Sequence, residues 1–224
     1  VGNDLNNKIN GLDDAVDYNF QGGGGNDTIT TAGGDDTIDG GAGKDVIRAG
    51  AGDDVVTLGI GDDLTGGTAV GGTGFDTAIL SEGFRWDTSN WSLYGFEAVV
   101  GNDLNNKING LDDAVDYNFQ GGGGNDTITT AGGDDTLTGG LGDDTLTGGG
   151  GADVFVFNGT FGDDTIKDFE DGVDLLDFSS SGLSFGDLAV SASGSDTLIE
   201  DGLGNSITLV GINPADITAD DFIF

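Results

Sequence analysis

Aspartates stand at Asp27, Asp36, Asp45 and Asp54, nine residues apart, and again at the same interval at Asp126, Asp135, Asp144 and Asp153. Each follows a glycine-rich stretch, so that residues 22–30, 31–39, 40–48 and 49–57 approach the pattern Gly-Gly-x-Gly-x-Asp-x-U-x, with U a large apolar residue. Such units offer two kinds of hard oxygen donor. The aspartate brings a carboxylate and its charge, and the glycines bring backbone carbonyls with no Cβ to keep a cation away. Calcium, which takes about six to eight oxygen ligands at roughly 2.3–2.6 Å, is the ion that such a donor set suits. The candidate ligand positions in the first run are Gly23, Gly25, Asp27, Gly34, Asp36, Gly41, Gly43, Asp45, Gly50, Gly52 and Asp54, with Asp63 a fifth acid in phase. In the second run they are Gly122, Gly124, Asp126, Gly133, Asp135, Gly140, Gly142, Asp144, Gly149, Gly151 and Asp153.

The elements that must hold these residues follow from the other half of each unit. Asp-x-U-x alternates polar and apolar side chains, as a short strand with one buried face does. Ile29, Ile38, Ile47 and Val56 in the first run, and Ile128, Leu137, Leu146 and Phe155 in the second, are the inward residues. The glycine half supplies the turn, where positive φ is required. A fixed beat of this kind marks a solenoid, because disordered acidic linkers do not keep an apolar residue in phase.

The pattern resembles the calcium-binding nonapeptide of repeats-in-toxin (RTX) proteins. That resemblance implies an all-β chain, a parallel β-roll in two calcium-binding segments with a β-rich C-terminal cap, binding several Ca2+ ions. Two nonapeptides would make one turn, which places Asp27, Asp45 and Asp63 on one edge and Asp36 and Asp54 on the other. Asp126 would then share an ion with Asp144, and Asp135 one with Asp153.

Composition supports the same ion. The formal charge is −35, and of 41 acids only Glu82, Glu97, Glu170 and Glu200 are glutamate. An acidity serving solubility alone would use both residue types; the short aspartate reaches an ion held close to its own backbone. Without a counter-ion this charge density expands the chain, so metal binding becomes part of folding and the metal-free chain is expected to be largely unfolded. The sequence has no Cys, no His and no Met, which removes disulfides, thiol nucleophiles, histidine triads and His-Glu-x-x-His zinc sites. No basic patch is present to hold nucleic acid, and no apolar run approaches the ~20 residues of a membrane span. The chain opens in mid-motif without Met, and reads as part of a longer or processed protein.

Residues 1–37 recur without change as 100–136. In each copy Ile9 to Phe20 spans eleven residues rather than nine, which reads as a coil with a two-residue insertion. Asp13, Asp14 and Asp17 there either bind a further ion or sit solvated. The expected organisation is a first roll at 1–79, a connecting hairpin or irregular coil at 80–99, a second roll at 100–158 and a cap at 159–224. The connector holds Trp86, Trp91 and Tyr94, either a stacking platform for sugar or a cover over the open end of the first core. Residues 151–224 resemble the C-terminal region of RTX proteins exported by type I secretion, including a closing acidic-aromatic run. This implies a secreted protein, extracellular or at the cell surface of a Gram-negative bacterium, that folds once it meets calcium outside.

No catalytic residues are assigned, since every carboxylate pair such as Asp35 and Asp36 is explained by the repeat. The expected role is a structural or adhesive module. Two alternatives stay open. One is a self-assembling surface-layer or filament subunit joined through open edges. The other is a polysaccharide-binding module similar to the R-modules of alginate epimerases, with Lys44, Arg48 and Arg85 as a basic strip.

Overall fold

Each glycine-rich half reverses the chain and each Asp-x-U-x half runs as a short strand, so two nonapeptides close one coil. The computed structural model describes residues 1–224 apart from 12, 14, 15, 60, 61, 63–68, 84–94, 111 and 113. Trp86, Trp91, Tyr94, Arg85, Asp14, Asp113 and Asp63 therefore lie outside the described residues.

The chain divides into two compact units, Val1–Asn102 and Asp103–Phe224. The first holds β1 (Lys8–Asn10), β2 (Asn19–Gly24), β3 (Thr28–Thr30), β4 (Thr37–Ala42), β5 (Val46–Ala51), β6 (Val55–Leu58), β7 (Ala69–Thr73), β8 (Thr77–Leu80) and β9 (Ala98–Asn102). Strands β1-β3-β5-β7 pair in parallel in one sheet, and β2-β4-β6-β8-β9 do so in the other. The register aligns Ile29 with Ile47, and Phe20 with Ile38 and then Val56. Because the strand period is two, this one alignment sends the apolar residues of every coil to the same side. Ile29, Ile38, Ile47 and Val56 are fully buried as a result.

The second unit repeats the scheme with β10 (Lys107–Asn109), β11 (Asn118–Gly123), β12 (Thr127–Thr129), β13 (Thr136–Leu141), β14 (Thr145–Thr147), β15 (Val154–Val156), β16 (Asp163–Ile166) and β17 (Leu175–Asp177). Here β10-β12-β14-β16 form one parallel ladder and β11-β13-β15-β17 the other. The duplicated segment takes the expected insertion in both copies. Lys8 pairs with Thr28 and Lys107 with Thr127, twenty residues on, where the regular repeats step by eighteen. Tyr18 stacks near Phe20 at 5.0 Å between ring centroids, and Tyr117 near Phe119 at 4.8 Å.

Beyond β17 the repeat gives way to β18 (Ala189–Ser193), β19 (Asp196–Glu200), β20 (Ser206–Leu209) and β21 (Phe222–Ile223). β18, β19 and β20 form an antiparallel meander joined to β16 through β20, and β21 lies parallel to β17. Phe178 sits at the centre of an aromatic cluster with Phe157, Phe161, Phe222 and Phe224. A roll has an apolar cross-section at its end, and these rings cover it. The only helices among the described residues are two 3-10 turns of three residues, and none is long and apolar enough to cross a membrane.

The coils stack so closely that glycine is compulsory at some turns. Gly142 has φ of 119°, and a Cβ there would collide with the carbonyl oxygen of Gly124 one coil away. Gly150 lies outside the positive-φ region and opens onto free space. Gly142→Ala is therefore expected to destabilise the calcium-loaded chain by about 1–3 kcal/mol, while Gly150→Ala stays within about 0.5 kcal/mol. Thermal unfolding at fixed calcium checks both, and equal losses would contradict the stacking account.

Candidate metal centre

Along each edge of each unit, the sixth residue of the nonapeptide turns its carboxylate inward and hands it to the backbone of the preceding coil. In the first unit Asn7 N–H donates to Asp27 Oδ1 at 2.7 Å and Asp27 N–H to Asp45 Oδ1 at 2.8 Å. On the opposite edge Tyr18 donates to Asp36, Asp36 to Asp54 and Asp54 to Asp76, at 2.7, 2.8 and 2.9 Å. The second unit has the matching series Asn106, Asp126, Asp144, Asp164 on one edge and Tyr117, Asp135, Asp153, Asp174 on the other. A second, exposed ladder runs in the opposite sense. Asp35 N–H donates back to Asp17 Oδ1, Asp53 to Asp35, and Asp134 to Asp116. Asp17 thus makes a turn contact through Oδ1.

The inward ladder uses one oxygen of each carboxylate. The Oδ2 atoms of Asp27, Asp36, Asp45, Asp54, Asp76, Asp126, Asp135 and Asp144 are buried and accept no hydrogen bond. Each of these residues is at most 2% exposed. Such groups are costly to leave unsatisfied. Their surroundings are oxygen-rich: a Cβ on Gly22 would fill the space shared by Asp27 Oδ2 and the Gly40 carbonyl, and one on Gly121 the space shared by Asp126 Oδ2 and the Gly139 carbonyl. No three acidic side chains converge among the described residues. The donor set is thus one or two carboxylates completed by glycine carbonyls, hard oxygens throughout, and it fits calcium rather than a softer metal.

All the glycines named from the sequence take positive φ, from 88° at Gly149 to 136° at Gly43. Asp62 accepts the N–H of Asp45 at 2.9 Å, so it occupies the ladder position next to the one assigned by strict phase to Asp63, and its other oxygen accepts Gly59 N–H. Asp76, Asp164 and Asp174 also join the ladders although the nonapeptide count does not reach them. Their signal was Gly-x-Asp with an apolar residue two positions after the aspartate, at 74–76, 162–164 and 172–174. The leading glycines Gly22, Gly40, Gly121, Gly139 and Gly148 matter for a reason the sequence pattern does not give: each leaves room for an aspartate Oδ2.

Burial dominates the proton affinity of these carboxyls. It lifts Asp45, Asp54 and Asp144 from the usual 3.8 to about 6, Asp76, Asp126 and Asp153 to about 7, and Asp164 to about 8. Backbone N–H donors pull the other way, and neighbouring aspartates reinforce the rise. A carboxyl raised in the folded state stabilises it below the unfolded value near 3.8, and that contribution is lost as pH climbs through about 6–8. Chelated protein is accordingly expected to gain β-signal in far-UV circular dichroism as pH is lowered from 8 to 5. With calcium limiting, the midpoint shifts to higher calcium over the same fall, because proton and ion compete for the same oxygens. A chelated β-signal that is greatest at pH 8 would contradict this account.

Comparison with known proteins agrees with this geometry. The family described as RTX calcium-binding nonapeptide repeat (4 copies) matches at residues 19–47, 30–64 and 120–155. The AlgE6R3 subunit of the Azotobacter vinelandii mannuronan C5-epimerase is 36% identical over 56% of this chain and 81% of its own, with a TM-score of 0.46. The AlgE6R2 subunit of that enzyme is 36% identical over 55% of this chain and 90% of its own, also with a TM-score of 0.46. The extracellular lipase LipA of Serratia marcescens shares the fold at 20% identity and a TM-score of 0.50, across 100% of this chain and 39% of its own. No curated protein sequence matches the chain. The nonapeptide matches and the aspartate ladders agree, and the chain carries RTX calcium-binding nonapeptide repeats at those residues.

Proposed function

We propose that this chain is a calcium-triggered folding module of a secreted protein, with a structural or adhesive role and no chemistry of its own. The observation that carries the reading is the set of buried, unpartnered Oδ2 atoms on both edges of both units. A fold that buries so many like charges is stable only with a cation, or with protons, in their place. Low calcium inside a cell would leave the chain unfolded and fit for type I export, and calcium outside would fold it. Asp27, Asp36, Asp45 and Asp54, their counterparts Asp126, Asp135, Asp144 and Asp153, and the carbonyls of the positive-φ glycines are the proposed ligands. The role of residues 151–224 as export signal rests on the sequence resemblance, and their aromatic cap is compatible with it.

Calcium titration of chelated protein, with circular dichroism and light scattering followed together, tests this reading. A cooperative rise in β-signal at constant particle size is the expected result. Growth of scattering with the β-signal would favour the self-assembling subunit, and no response to calcium would overturn the proposal. Asp126→Asn keeps an acceptor for the Asn106 N–H but removes the ligand charge. It is expected to raise the calcium midpoint about 10-fold, equivalent to about 1.4 kcal/mol.

A second reading, polysaccharide binding, is favoured by one specific feature. In the first unit the outward rows of β1, β3 and β5 carry Lys8, Thr28 and Val46, then Asn10, Thr30 and Arg48. In the second, β10, β12, β14 and β16 carry Lys107, Thr127, Thr145 and Thr165, then Thr129 and Thr147, with Lys167 just past β16, while Asn109 in the latter row is buried. These rows hold no carboxylate, yet they hold four of the six basic residues of a chain with 41 acids. Hydroxyls and cations on a flat sheet suit a sugar chain, an anionic one included. Calcium-loaded protein is expected to bind polyuronate and to lose at least half of its affinity with Arg48→Ala and Lys167→Ala combined. Unchanged binding would remove this face from consideration.

A further inference from the structure

Three of the last aspartates on the inward ladders divide into two kinds. Asp62 closes its edge with both oxygens used, Oδ1 by Asp45 N–H and Oδ2 by Gly59 N–H. Asp174 does the same with Asp153 N–H and Glu170 N–H. These two need nothing further. Asp76 differs: its Oδ1 accepts Asp54 N–H at 2.9 Å, but its Oδ2 is buried without a partner and the residue is 0% exposed.

The coil that follows Asp76 contains no Gly-x-Asp. It runs Gly95-Phe96-Glu97 into β9, and it is aligned on β8, with Thr77 opposite Ala98. Glu97 occupies the ladder position. Its Oε2 accepts Asp76 N–H at 2.8 Å, as each repeat aspartate accepts from the coil before it. The oxygen cradle is also rebuilt, because a Cβ on Gly71 would meet both Asp76 Oδ2 and the Gly95 carbonyl, the same pair of donor types found beside Gly22 and Gly121. Glutamate suits this place geometrically. The additional methylene lets its carboxylate reach the Asp76 N–H from the backbone of this irregular coil.

From this geometry we infer a further calcium site at the junction where the nonapeptide pattern, last met at residues 71–79, gives way to an irregular coil; it is formed by Asp76 and Glu97 with the Gly95 carbonyl, and fastens β9 to the last repeat coil of the first unit. The inference rests on the calcium reading of the repeats. A carboxylate on a longer, freer side chain loses more conformational entropy on ligation, so this site fills after those of the repeats.

Equilibrium dialysis of the full chain against calcium separates the two claims. Glu97→Gln keeps an acceptor for Asp76 N–H while removing the charge; Asp76→Asn does the same toward Asp54; Asp220→Asn removes one charge at an exposed position away from any ladder. Glu97→Gln is expected to bind one ion fewer than wild type, with the weakest binding step gone and the β-signal at saturating calcium retained. Asp220→Asn should match wild type. Equal ion counts for wild type and Glu97→Gln would overturn the inference while leaving the repeat sites intact. A wild type that binds no calcium would overturn the underlying reading instead. Should Asp76→Asn fail to fold, the Glu97→Gln count decides alone.

Discussion

The structure depends on one unfavourable arrangement, a row of carboxylates buried one coil apart along each edge. Each has a backbone N–H on one oxygen and, at eight positions, nothing on the other. Removing a carboxylate from water costs several kcal/mol unless a partner replaces the lost hydration, and here the nearest charges are other aspartates. The arrangement is tolerable only when something positive sits among the oxygens. Most other features of the chain follow from that condition. Glycines surround the aspartates because any Cβ would occupy the ligand space or strike the next coil. Aspartate outnumbers glutamate because the ligand must stay close to its own backbone.

The apolar contribution is correspondingly thin. Within the repeats each nonapeptide buries one large side chain, such as Ile29 or Leu137, between two sheets of short strands. A narrow core of this kind offers little area against the entropy of ordering nearly one glycine in every five residues, 46 of 224. The cap compensates at one end by packing phenylalanines, with Phe155 and Phe169 continuing the cluster towards the repeats. Burial there does not depend on an ion, which is consistent with folding that starts from the C-terminal side and propagates along the coils.

What could be read from the sequence follows the regularity of the chain. Nine-residue spacing located Ile29, Ile38, Asp27 and Asp36 because strand period and coil length together leave those residues a single place. Strict counting failed where a coil changes length. It pointed to Asp63 where Asp62, after a step of seventeen residues, accepts the ladder hydrogen bond, and it did not assign Asp164 and Asp174, which follow steps of twenty and twenty-one residues. Extra residues are absorbed in the turn, and the hydrogen bond from the previous coil, rather than the count, selects the acid. The partition between the two oxygens of one carboxylate had no sequence signal at all, since it depends on which N–H groups the fold brings to each oxygen.

Charge is also divided by the geometry of the roll. Ladder aspartates lie at turns, where glycine carbonyls are available, so the acid requirement falls on the edges and leaves the sheets free to differ. The sheet of β2, β4, β6 and β8 places Asp39 on its outward rows, and that of β11, β13, β15 and β17 places Asp177 there. The opposite sheets hold Lys8, Arg48, Lys107 and threonines. The proposed ion binding would account for the aspartates of the edges, but it places no demand on outward strand positions. Because the Debye length is about 8 Å at physiological salt, a basic row is partly shielded from the acidic edges, and more so once calcium neutralises them. Loading the edges with ions would therefore do two things together: fix the coils, and unmask a face on which Lys8, Arg48 and threonines stand outside the ladders.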